Sequence, residues 1–273
     1  MKNHSSLLFL IPVLTTTSAA WAAPAVTDGE DASTVVARPA EPAAPTAADP
    51  NMDHGFLQPT ALTQPAHTLT YSNYELLMHG LTYGITDNVQ TSVTVLAPLT
   101  KDMPLVGVAS AKWQFLQTSR LHLAVQGSAT VLHLMSTSDT PNVDSTDTVY
   151  LLGAGAMASY CLREDCSSVV SAHATYDVGL ASGGGGTAQA IIYGGSIVHG
   201  VSRHVKLIGE VTSATAKLPD NSFDNAPGVL ASYGVRLYNS KIASDIGFVR
   251  PIGSDGSPDF VLGLPFVDVS YRW

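Results

Sequence analysis

Charged side chains make up only 13% of this 273-residue chain, so each one that falls in an apolar stretch is a candidate for chemistry. Lys112, Asp177, Lys206, Glu210, Arg236, Asp245, Asp268 and Arg272 each adjoin an apolar residue. Period-two alternation would set each on the polar face of a strand whose other face is apolar. Charges of both signs on such faces can do one of two things. They can line an aqueous path and set its ion selectivity, or they can pair and so brace or plug an interior. The sequence leaves both readings open. If Ser240-Lys241 is a hairpin turn, Arg236 stands opposite Asp245 and forms an ion pair with it.

Other residue types offer less. Met52-Asp53-His54-Gly55 contains a possible metal ligand, but one histidine without a second nearby donor makes no site. His122, His133, His173, His199 and His204 are spread over separate segments. Gly153-Ala154-Gly155-Ala156-Met157-Ala158 matches a dinucleotide fingerprint, yet that motif needs a helix immediately after it, and Ser159-Tyr160-Cys161 runs into a turn instead. The Gly183–Gly186 run lacks the Lys-Ser/Thr of a phosphate loop. The reading is no catalytic residues, no metal and no cofactor. A net charge of −9 argues against nucleic acid, whose binding rests on basic contacts to phosphate. Cys161 and Cys166 flank Leu162-Arg163-Glu164-Asp165. If that quartet is a tight turn, the cysteines face each other at disulfide range, with free thiols as the alternative.

The elements that position these residues are strands. The chain opens with Lys2, an apolar run from Leu7 to Leu14 and Ala20-Trp21-Ala22, the three parts of a secretory signal peptide over residues 1–22. Residues 23–64 form a Pro/Ala-rich linker expected to be a disordered tether, because so few bulky apolar residues cannot offset the entropy of ordering it. Beyond Pro65 no run supplies the roughly 20 apolar residues of a membrane helix. Instead about twelve alternating stretches follow, joined in turn by tight turns such as Asp87-Asn88 and by longer, acidic loops. Ala111, Trp113 and Phe115 alternate with Ser110, Lys112 and Gln114. Leu121, Leu123 and Val125 oppose His122, Gln126 and Ser128. Val229, Ala231, Tyr233, Val235 and Leu237 oppose Ser232, Gly234 and Arg236.

The chain closes on Phe266-Val267-Asp268-Val269-Ser270-Tyr271-Arg272-Trp273. This terminal strand, together with phrases such as Tyr83-Gly84-Ile85-Thr86-Asp87-Asn88-Val89, resembles the bacterial outer-membrane β-barrels. The resemblance covers residues 65–273. It implies an all-β fold: a single antiparallel transmembrane up-and-down barrel of about twelve strands, in the outer membrane of a Gram-negative bacterium with both termini periplasmic. Trp113, Phe115, Tyr271 and Trp273 are then girdle aromatics, and the eight charges listed above line the lumen. The expected function is porin-like passage of small hydrophilic solutes or ions, with no enzymatic activity. A second reading is a non-conducting barrel that anchors or scaffolds an envelope-spanning machine for motility, secretion or polysaccharide export. The expected partners are outer-membrane lipid and, through residues 23–64, periplasmic or envelope proteins.

Overall fold

The computed structural model describes residues 49–96, 104–135, 146–181, 187–217, 223–224, 229–252 and 262–273. The signal peptide, the linker up to residue 48 and the loop acids Asp139, Asp144, Asp220, Asp255 and Asp259 lie outside the described residues. Thirteen strands follow in order: β1 (Leu69–Tyr74), β2 (Met78–Thr86), β3 (Val89–Leu96), β4 (Leu105–Gln117), β5 (Leu121–Met135), β6 (Thr146–Cys161), β7 (Val169–Ala181), β8 (Thr187–Ser202), β9 (Val205–Lys217), β10 (Phe223–Asp224), β11 (Val229–Tyr238), β12 (Ile242–Ile252) and β13 (Leu264–Arg272). Each pairs antiparallel with its neighbour. Leaving aside the two-residue β10, twelve strands close into a ring when β13 pairs with β1, Arg272 opposite Thr70 and Asp268 opposite Tyr74. Closure leaves no strand edge open, which a sheet in hydrocarbon requires.

Alternation sorts the side chains. Trp113, Val125, Leu152, Ile197, Leu207, Ile246, Val269 and Trp273 point outward and stay exposed, while Lys112, Gln114, Ser196, Lys206, Arg236, Asp245, Asp268 and Ser270 point inward and are buried. A large apolar surface left bare around a polar interior inverts the usual soluble pattern and fits a wall facing acyl chains. Trp113, Phe115, Tyr271 and Trp273 stand on the outer face toward one end of the ring, with Tyr271 edge-on to Trp273 at 4.8 Å between ring centroids. That end carries the turns at Asp87-Asn88, 118–120, 162–168, 203–204 and 239–241. At the opposite end, β1 and β2 are joined by residues 75–77, where Glu75 and Leu76 take positive φ.

The wall is uneven. β4 to β9 run for 13 to 16 residues, whereas β1, β2, β3 and β13 run for 6 to 9. Crossing a bilayer takes about 9–11 residues, so the long strands rise past that need on one side of the barrel only.

The interior is where the structure departs from expectation. Residues 49–64, expected to belong to the linker, lie inside the barrel: Asp49, Asn51, Asp53, Phe56, Gln58, Thr60, Ala61, Leu62, Thr63 and Gln64 are all buried. The tether argument weighed apolar content alone. It missed that a wall rich in hydrogen-bonding side chains can order a polar segment. The few apolar clusters of the interior form on this insert, Phe56 with Val198, Ile208 and Phe266, and Leu62 with Cys161 and Val169.

Candidate functional site: the occupied lumen

The insert is an irregular hairpin. Asn51 N donates to Asp49 Oδ1 at 2.9 Å to start it. Gly55 N to Gln58 O at 2.8 Å and Thr60 N to Asp53 O at 2.9 Å hold its two legs together. The tip is Phe56-Leu57, and the returning leg runs from Gln58 to Pro65 before the chain enters β1. Such a segment makes few hydrogen bonds of its own, so most of its N–H and C=O groups must find partners on the wall.

The charged residues singled out from the sequence supply them. Lys112 Nζ donates to three carbonyls, Asp53 at 3.1 Å, Thr60 at 3.0 Å and Leu62 at 2.8 Å, and so clasps both legs. Glu210 accepts the tip N–H groups of Phe56 at 2.7 Å, Leu57 at 3.0 Å and Gln58 at 3.3 Å, with Ser232 Oγ a further donor at 2.8 Å. Successive backbone N–H groups turned on one carboxylate make an anion nest. Gly55 is required there, because a Cβ would lie 1.9 Å from Glu210 Oε1. Arg236, wholly buried, grips Asp245 with Nε and Nη2 at 2.7 Å each and Asp49 with Nη1 at 3.1 Å. It also donates to the carbonyls of Asn51 at 2.6 Å and Gly55 at 2.7 Å. Lys206 Nζ takes the same Asp49 oxygen at 2.7 Å. Burial alone would raise the Asp49 pKa, but Arg236 and Lys206 together hold its carboxyl well below the usual carboxylate range. Arg272 reaches both ends of the insert, Asp49 O at 2.6 Å and Gln64 Oε1 at 2.8 Å.

Seven of the eight sequence-selected charges thus converge on the insert or on its immediate neighbours. Asp177 does not; it is half-buried on the lumen face of β7. Sequence reasoning missed the other half of the site: Asp49, Asn51, Asp53, His54, Gln58 and Gln64 on the insert, and Gln90, whose Nε2 donates to Asp53 Oδ2 at 2.8 Å. Met52-Asp53-His54-Gly55, which looked like idle loop, lies against this network. Beyond the tip a cavity of about 220 Å³ remains, bounded by Leu57, Tyr74, Thr94, Val108 and Gln126.

Cys161 and Cys166 are joined by a disulfide, with 4.7 Å between their Cα atoms. His122 stands 3.7 Å from Cys166 Sγ, but a bridged pair offers a metal no thiolate. The Gly153–Ala158 stretch lies within β6, where Gly155 packs against the Ala174 carbonyl on β7.

No protein-family model and no curated protein matches this chain. Among solved structures it is similar to the loop L8 deletion mutant of OmpT, an outer membrane protein of Vibrio cholerae, with a TM-score of 0.47 and 11% identity over 72% of this chain and 62% of that one. It is similar to LpxR from Salmonella typhimurium, with a TM-score of 0.40 and 9% identity over 76% and 99% of the two chains. It is also similar to an outer membrane channel from Pseudomonas putida F1, with a TM-score of 0.37 and 12% identity over 78% and 97%. The chain therefore spans less than two thirds of the Vibrio protein. Likenesses this distant say nothing of activity. The expectation that the chain is not an enzyme is corrected here: the barrel fold shared with these proteins serves outer-membrane enzymes as well as channels, and a fold does not decide a function. With its closed antiparallel wall, apolar outer face and polar interior, the chain is a bacterial outer-membrane β-barrel whose lumen is occupied by its own residues 49–64.

Proposed function

We propose that this barrel is a closed conduit for small hydrophilic solutes or ions, in which the insert must leave its seat before anything passes. We further propose that it sits in a Gram-negative outer membrane with both termini periplasmic, exported by the signal peptide at residues 1–22. One observation carries the reading: the seam between insert and wall is polar. Glu210, Lys112, Arg236, Gln90, Gln114 and Ser159 meet backbone groups, amides and carboxylates. When a polar seam parts, water solvates both faces, whereas parting an apolar core exposes oil. Separable interfaces within a chain are the polar ones. Buried ion pairs are also poor stabilisers compared with packed apolar groups of the same volume. A permanent filling therefore has no need of them.

A second reading keeps the lumen shut and uses the barrel as an anchor for an envelope-spanning assembly, with residues 23–48 reaching the partner. The depth of Asp49 favours it, since the described chain begins at a residue held by Arg236 and Lys206. Planar-bilayer recording of the purified protein separates the two. The conduit reading expects a quiet wild type with rare openings, and steady single-channel steps from a variant lacking residues 49–64. Folding of that variant is checked by heat-modifiable gel mobility. A folded but silent deletion variant sinks the conduit reading and leaves the anchor.

A further inference from the structure

Five carboxylates, Asp49, Asp53, Glu210, Asp245 and Asp268, and four cationic side chains, Lys112, Lys206, Arg236 and Arg272, are buried in the lumen among the described residues. The interior is one positive charge short if His54 is neutral, and the deficit can be located. Asp245 and Asp268 stand directly opposite each other on β12 and β13. Like charges in that register repel unless something offsets them. Asp245 has Arg236. Asp268, wholly buried, has only neutral donors, Asn51 Nδ2 at 2.9 Å and Ser270 Oγ at 3.2 Å, and both reach the same oxygen, Oδ2. Its other oxygen, Oδ1, has no hydrogen-bond partner. An unmatched buried carboxylate oxygen is too costly to stay uncompensated.

The group facing this gap is His54. Its Nδ1 lies 3.0 Å from Asp53 Oδ1, which is 7% exposed. Gln90 and Gln64 hold that carboxylate in turn at 2.8 Å each. A carboxylate behind Nδ1 fixes the tautomer with Nε2 unprotonated and turns it forward, the arrangement that orients metal-bound imidazoles. Nε2 has the Tyr74 hydroxyl 3.4 Å away. Ligand atoms of His54, Asp245 and Asp268 all lie within 4.8 Å of one another, a spacing one small ion can bridge with bonds of about 2.0–2.2 Å after slight contraction. One imidazole and two carboxylates are borderline donors that suit a first-row divalent ion such as Zn²⁺, and suit Ca²⁺ or Mg²⁺ poorly.

We propose that the lumen holds a divalent transition-metal site made of His54 Nε2, Asp268 and Asp245, with the Tyr74 hydroxyl or a water completing the shell. The metal would join the insert to β12 and β13. The site does not depend on the conduit reading, because binding is measured without conductance.

Full-length protein in detergent is stripped with chelator and titrated with Zn²⁺ by calorimetry, with the bound metal counted by elemental analysis. The expected result is one ion per chain and a higher melting temperature with Zn²⁺. His54→Gln and Asp268→Asn should each weaken binding at least 10-fold, and His173→Gln, on the lumen face of β7, should leave it unchanged. His54→Gln is checked for folding by heat-modifiable mobility; should it not fold, Asp268→Asn and Tyr74→Phe carry the comparison, the latter with a change below 10-fold. No stoichiometric uptake, or uptake indifferent to His54 and Asp268, overturns the proposal. So does a melting temperature that ignores Zn²⁺ while nuclear resonance shows His54 doubly protonated at neutral pH, since the missing charge is then a proton.

Discussion

Arg236→Met removes the guanidinium at the centre of the lumen while keeping most of its volume. Asp49 retains Lys206 at 2.7 Å, so the charge left bare is Asp245, which loses both of its 2.7 Å bonds and still faces Asp268 across the strand pair. Stranding one partner of a buried pair costs about 3–5 kcal/mol. The barrel can avoid that cost by releasing the insert and letting water reach Asp245. The loss should therefore appear as release rather than as collapse of the wall. At about 1.4 kcal/mol per decade, the released population rises roughly 10²- to 10³-fold or more. A thiol placed by Thr63→Cys, buried between the Asp87 carbonyl and Gln114, reads this directly, because Cys161 and Cys166 are bridged. Maleimide labelling of Cys at this position should accelerate by that factor in the Arg236→Met background, with strand content by circular dichroism unchanged. Adding Asp245→Leu removes the stranded charge and should recover most of the difference. Labelling at the wild-type rate in Arg236→Met, or a double variant no better than the single, would refute the claim that this ion pair seats the insert.

Further outcomes follow from neighbouring contacts. Glu210→Gln keeps the shape but discharges the acceptor of three tip N–H groups, costing about 1.5–3 kcal/mol by labelling at the same thiol. Gly55→Ala drives its Cβ into that carboxylate, so the pair of substitutions should cost less than the sum of each alone. Asp49 has a folded pKa below its unfolded value near about 3.9, so its contribution is complete above that value and fades as pH falls through the depressed one. The gap in melting temperature between wild type and Asp49→Asn should hold from neutral pH down to that range and shrink below it; a gap constant into strong acid would contradict the assignment. Replacing Cys161 and Cys166 together with Ala opens a loop only five residues apart in sequence and should cost roughly 2 kcal/mol, read as a lower melting temperature with β6 and β7 still paired.

What the sequence made legible was the wall. A two-residue period is a local property, and it sorted Lys112, Lys206, Glu210, Arg236, Asp245, Asp268 and Arg272 to the inside without knowledge of any partner. Turn chemistry at Asp87-Asn88 and the register of Arg236 opposite Asp245 are likewise local. The insert was not legible, because nothing periodic marks it. Its order comes from contacts 150 to 220 residues away in sequence, such as Phe56 to Glu210 and Asn51 to Asp268. A signal was nonetheless present in Pro50 to Pro65, where Asn51, Gln58, Thr60, Thr63 and Gln64 replace the alanines and acids that precede them. Amides and hydroxyls that can bond to charges, with Phe56 and Leu62 among them, differ from a tether's composition. The uneven wall was missed for a different reason: alternation runs on smoothly through a strand and its extension into a loop, so it does not report height.

The order in which the chain is made gives the Arg272 contacts a consequence for biogenesis. The filling is synthesised before any stave of the cask, and the last stave carries the hand that holds it: one guanidinium touches Asp49 where the filling enters and Gln64 where it leaves. β13 also meets β1, the strand that continues directly from the filling. The hoop cannot be completed in this form around an empty bore, so winding the cask and loading it are a single act, with the filling as mandrel.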